Sequence, residues 1–174
     1  MTTAPERPPG PMAPDTLLDP RTLLTDRQFA SVVTTILDNN PGMTENMAER
    51  ITTEGLRFTV TAALTPGHAM APSRIVDEGW HSLILHTELY AELCGVFGRF
   101  VHHSPGYSPD HYDGDVLEAT QAAIRAAGFE VDAELWRAPD DESLVAVAAN
   151  CQHAPAGDGP VKPMPTPQPP CHNK

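Results

Sequence analysis

Residues 73–98 read SRIVDEGWHSLILHTELYAELCGVFG. Val76, Trp80, Leu83 and Ile84 recur every three or four positions, the period of a helix that buries one face. Ser73 stands where an N-cap belongs, and this spacing predicts a helix to about Leu85. Thr87 can cap a further helix that turns Tyr90, Leu93, Cys94 and Phe97 inward and stops at Gly98. The pattern alone leaves open whether 73–97 is one bent helix or two.

Upstream, Thr44 caps a predicted helix to about Leu64, with Met47, Ile51, Gly55, Phe58 and Ala62 on one face. Its threonines and Val60 lower the intrinsic propensity, so packing has to carry it. Before that, Thr25 or Asp26 opens a helix with Phe29, Val32, Val33, Ile36 and Leu37 in helical period, stopped by Asn39-Asn40-Pro41-Gly42. Asp19-Pro20 is the signature of a short helical turn, Asp as cap and Pro at its first position. Downstream, residues 99–111 are a loop rich in His, Pro, Gly and Tyr. A last helix is expected from about Gly114 to Ala127, with Val116, Ala119, Ala123 and Ile124 inward and Gly128 as its stop. Asp132-Ala133-Glu134-Leu135-Trp136 reads as a single turn that pins Trp136 on the core. The run Leu144-Val145-Ala146-Val147 is the one candidate strand.

The expectation is therefore an all-α, single-domain bundle of about five helices over residues 19–138. It is flanked by a disordered proline-rich arm at 1–18 and a proline-rich tail containing Cys and His at 139–174. The chain has 174 residues and a formal net charge of −12, with 23 acidic and 11 basic side chains. That balance repels phosphate backbones and anionic lipid surfaces, so no nucleic-acid or membrane partner is expected. A cation is easier to accept. The first twenty residues have many prolines and no continuous apolar run, and no stretch approaches a membrane span. The expected location is the cytoplasm, with Cys94, Cys151 and Cys171 reduced.

The chemistry concentrates where the helices meet the loop. Asp77 and His81 lie one turn apart on one helix face. A carboxylate there can orient and strengthen the imidazole or act as a ligand itself. His102 and His103 arrive from the loop; in extended backbone their side chains point opposite ways, so one of the two is expected to reach the helix. Asp77, His81 and His102 or His103 are thus candidate ligands for a divalent metal, Zn, Fe or Mn, with open positions for water or substrate. The competing reading is a hydrogen-bonded structural histidine network, with His102-His103 bonding helix-end carbonyls. Cys151, His153, Cys171 and His172 form a second candidate ligand set in the tail. No nucleotide or flavin signature is present.

The run Asp77, Trp80-His81, Thr87, Tyr90, Cys94, Gly98, His102-His103 and Pro105 resembles the motif of the glycine-rich domain-containing protein-like family. Ala123-Ile124-Arg125-Ala126-Ala127-Gly128-Phe129 and Leu135-Trp136 resemble its bacterial members, known mostly as short actinobacterial proteins. The resemblance implies a small helical fold and no established activity. Many relatives carry a second His where this chain has Leu83, and some an Asp where it has His86.

Three functions follow from these readings. One is a metal-binding protein or metalloenzyme built on the central histidines. Another is a non-enzymatic interaction module whose proline-rich tail, Pro163-Met164-Pro165-Thr166-Pro167-Gln168-Pro169-Pro170, recruits a protein or peptide partner. The third is a carrier or modified-peptide precursor with a functional Cys/His tail.

Overall fold

The computed structural model describes residues 19–103 and 114–137. Within them the chain is all-α: a one-turn 3₁₀ segment at Pro20–Leu23, then α1 (Asp26–Asn39), α2 (Glu45–Leu64), α3 (Arg74–Leu85), α4 (Thr87–Val96) and α5 (Gly114–Ala126). None of these helices is long and apolar enough to cross a membrane. The arm before Asp19, the candidate strand at 144–147 and the whole Cys/His tail lie outside the described residues.

Local chemistry sets most helix starts. Asp19 accepts from the Arg21 amide at the head of the 3₁₀ turn. Thr25 and Gln28 form a reciprocal capping box at α1. Thr44 caps α2 through the Met47 amide and Ser73 caps α3 through the Val76 amide. At α4 the expectation needs correction. Thr87 is its first helical residue, and the cap position belongs to His86, whose side chain makes no capping bond. His86 leaves helical geometry (φ −86°, ψ 68°), so 73–97 is two helices. The break is held from outside: His86 Nε2 lies 2.9 Å from Thr35 Oγ1 on α1.

The hub is α2, which contacts α1, α3, α5 and the 3₁₀ turn. It is buried almost all round along its second half, far beyond the single face its spacing predicts. A helix rich in threonine tolerates this because its hydroxyls bond carbonyls one turn back. Thr52 donates to Ala48, Thr59 to Gly55 and Thr61 to Arg57, at 2.7–2.8 Å. Backbones touch where α2 crosses α3. A Cβ on Gly55 would stand 2.7 Å from the Gly79 carbonyl carbon, and one on Gly79 only 2.3 Å from the Ile51 oxygen. Both positions therefore require glycine for space.

Helix α5 sits turned from its predicted orientation. Leu117, Thr120 and Ile124 are buried, Val116 and Ala123 are half-buried, and Ala119 faces solvent. The larger Leu117 takes the inward position. Thr120 follows because its hydroxyl accepts from the Ala71 amide (3.0 Å) while donating to the Val116 carbonyl (2.8 Å). Gly128 ends the region with φ 87°, its amide bonding Arg125 and the Phe129 amide reaching back to Ile124. The closing turn then docks Leu135 and Trp136 fully into the core. Trp136 Nε1 donates to the buried Glu54 carboxylate at 2.5 Å, Arg50 clamps Asp132 and Glu134, and Ser73 Oγ donates to the Leu135 carbonyl.

Candidate functional site

The crossing of α2 over α3 fixes the outer part of α3 against residues 99–103. Gly79 brings α3 onto α2, so its neighbours are committed: Asp77, Glu78 and Trp80 are each about 1 % exposed. Burying two adjacent carboxylates needs partners. Glu78 accepts from Asn40 Nδ2 at 3.0 Å, which ties α3 to the end of α1. Asp77 faces the opposite segment, where its Oδ1 lies 3.2 Å from His103 Nε2. Burial pushes the Asp77 carboxyl above the usual carboxylate range, opposed by the hydrogen bond and charge of His103 and, more weakly, by the charge of His81.

The segment carrying His103 is anchored in steps. Gly98 closes α4 with φ 66°, and the Arg99 amide reaches back to the Cys94 carbonyl. Val101 is buried, and its carbonyl accepts from the Tyr90 hydroxyl at 2.6 Å. That hydroxyl accepts in turn from Trp80 Nε1 at 2.9 Å. Burial drives the Tyr90 phenol well above its ordinary range and raises the neighbouring Cys94 thiol as well. Both are thus neutral fillers of the core. Trp80 stands between Phe58, 4.8 Å away between ring centroids, and His103, 4.6 Å away.

The adjacent loop histidines part company. His103 turns onto Asp77, whereas the His102 ring lies against Phe100 at 4.8 Å. His81 and His103 come within 5.7 Å, centroid to centroid. The structure therefore gathers Asp77, His81 and His103 and leaves His102 and His86 elsewhere. Cys151, His153, Cys171 and His172 lie outside the described residues.

Among the described residues, two polar atoms at this cluster are buried without a hydrogen-bond partner, Asp77 Oδ2 and His81 Nδ1. Each such atom costs about 1–3 kcal/mol if nothing fills it. Among the described residues, no group of three or more His, Cys, Asp or Glu side chains is arranged to hold a metal ion as it stands. Asp77 and His103 are in contact, and the His81 ring stands 5.7 Å from that of His103.

For three groups the sequence names no partner. Glu54, Glu78 and the Tyr90 hydroxyl are ordinary helix residues by spacing. Their partners Trp136, Asn40 and Val101 lie 82, 38 and 11 positions away, so only the fold reveals them.

Comparison with curated proteins and with solved structures gave no match. A protein-family profile matches residues 21–123, which cover α1 to α4, most of α5 and every residue of the central cluster, and the chain belongs to the UCP032817-like family.

Proposed function

We propose that the protein binds a divalent cation through Asp77, His81 and His103, with the remaining coordination positions open to water or a ligand. The observation that carries this is the pair of buried, unpartnered atoms, Asp77 Oδ2 and His81 Nδ1, beside the Asp77–His103 contact. An ion there would satisfy both.

The spacing supports it. With metal–ligand bonds of about 2.0–2.2 Å, two ligand atoms on one ion are about 3.0–3.4 Å apart, and two imidazole centroids roughly 4.5–6 Å. The His81–His103 rings at 5.7 Å fall in that range, and an ion would displace the proton of the 3.2 Å Asp77–His103 hydrogen bond. A rotation of the His81 side chain is what the closed set still requires. Two nitrogens and a carboxylate oxygen suit Zn, Fe or Mn. In a chain carrying −12, the long-range field favours a cation as well. Titration calorimetry of the full chain with Zn²⁺ and Mn²⁺ tests this. The expected result is one ion per chain in the wild type and at least a tenfold weaker Kd in His81→Ala and in His103→Ala. Wild-type affinity in both variants contradicts it.

A second reading treats the Asp77–His103 pair as a structural latch in a non-enzymatic helical interaction module. The incomplete ligand set favours it. It predicts no ion uptake, together with a lower melting temperature in His103→Ala.

A further inference from the structure

We infer that Tyr90 is a positioning residue for this site: its hydroxyl holds residues 101–103 in place so that the His103 imidazole stands over Asp77. The inference rests on the cation reading above.

A tyrosine hydroxyl has one proton and two lone pairs. Here the proton goes to the Val101 carbonyl and one lone pair takes the Trp80 indole proton. A single buried oxygen thus joins α3, α4 and the segment leaving α4. Each partner bears on the site. Val101 is two residues before His103. Trp80 is the surface on which the His103 ring rests, and it lies one residue before His81. The glycine stop at Gly98 and the bond from the Arg99 amide to the Cys94 carbonyl fix where the segment starts. Phe100 is about half exposed, its ring 5.2 Å from that of Tyr90 and 4.8 Å from that of His102. The Tyr90 hydroxyl on the Val101 carbonyl, together with the Val101 amide on the Cys94 sulfur, sets the direction of the chain as it returns to α3. A ligand on an extended segment binds well only if that segment is held before the ion arrives.

Tyr90→Phe keeps the ring and removes only the hydroxyl. Two readouts on the full chain decide the matter: the Kd for Zn²⁺ and Mn²⁺, and the nuclear Overhauser contact between the Trp80 indole and the His103 ring. The chain has two tryptophans, so the Trp136 indole signal is an internal reference. The expected result is a Kd raised about tenfold or more and a weakened Trp80–His103 contact, with the Trp136 signal unmoved. Trp136→Phe is the control. It loses a comparable buried bond, to Glu54, remote in sequence from the site, and should lower the melting temperature without changing the Kd. Wild-type affinity and an intact Trp80–His103 contact in Tyr90→Phe overturn the inference. So does an equal loss of affinity in Tyr90→Phe and Trp136→Phe, which would be general loosening.

If the wild type takes up neither ion, the cation reading fails. The Trp80–His103 contact in Tyr90→Phe then still decides whether Tyr90 places His103. A further measurement needs no substitution: saturating the wild type with ion should shift the Trp80 indole resonance and leave that of Trp136 in place. Saturation with no shift at Trp80 also overturns the inference.

Discussion

At the scale of single residues, space and polar satisfaction both constrain α3. Gly79 sits against the Ile51 carbonyl with no room for a methyl group. The obstructing atom is backbone in the middle of a helix and cannot swing aside. Gly79→Ala is therefore expected to cost about 3 kcal/mol, at the upper end of ordinary overpacking, measured by urea unfolding. A loss below about 0.5 kcal/mol would mean that the helices can separate at no cost. Glu54 is the corresponding polar case. Its carboxylate takes the Trp136 indole, the Arg57 guanidinium at 2.6 Å and, at longer range, the Asp132 amide. Glu54→Ala leaves these donors facing a void and should cost about 3 kcal/mol. Trp136 fluorescence should shift to the red as the closing turn detaches.

Neither residue announces itself in the sequence. Glu54 lies among threonines on what reads as a polar flank, and its burial is imposed by a turn folding back from 82 residues away. Gly79 reads as a weak spot in a helix, whereas its role is set by a partner helix. Gly55 was legible as part of the inner face, yet its backbone contact was not. For the cluster, Asp77 and His81 could be read from their one-turn spacing, and the opposite directions of His102 and His103 from extended geometry. Which of the two meets Asp77 depends on the anchoring of Val101 by Tyr90, a contact between elements.

At the scale of elements, helix starts were the most legible feature because capping is local. Thr25, Thr44 and Ser73 each bond an amide three residues on. Thr25→Ala removes the α1 capping box and should destabilise the protein by about 1 kcal/mol, with the loss seen first in amide exchange of residues 26–29. Uniform exchange along α1 would speak against it. The break between α3 and α4 was ambiguous for the opposite reason: nothing local enforces it, and Thr35 on α1 supplies the bond that holds His86. The orientation of α5 is only partly legible: Ile124 is buried as its spacing predicts, but small residues such as Ala119 and Ala123 fit either face. Thr120, polar by composition, is drawn in by the Ala71 amide.

For the whole molecule, long-range ion pairs fasten the closing turn to the hub. Asp132 is held below the ordinary carboxylate range, first by its hydrogen bonds from Arg50. A carboxyl depressed in the folded state stabilises above its unfolded pKa, and that contribution is lost as pH falls through its folded value. The stability gap between wild type and Asp132→Asn should thus be full above about pH 4, near the ordinary Asp value, and close as the solution is acidified further. Thermal melts across pH 7 to 2.5 check this. A gap unchanged over that span would show that the Arg50–Asp132 pair contributes nothing to folding. High salt should shrink it only partly, because the pair is sheltered on both sides.

The same fold delivers His103 to Asp77 and His81, and the central claim is that the three hold an ion. The most direct test is equilibrium dialysis of untagged full-length protein against Zn²⁺ and Mn²⁺, with the ion content counted by elemental mass spectrometry. Wild type, His81→Ala, His103→Ala and the Cys151→Ser/Cys171→Ser double variant are compared. The prediction is close to one ion per chain in the wild type and in the double cysteine variant, and little in either histidine variant. No uptake by the wild type, or uptake that disappears only with the cysteines, would contradict the claim.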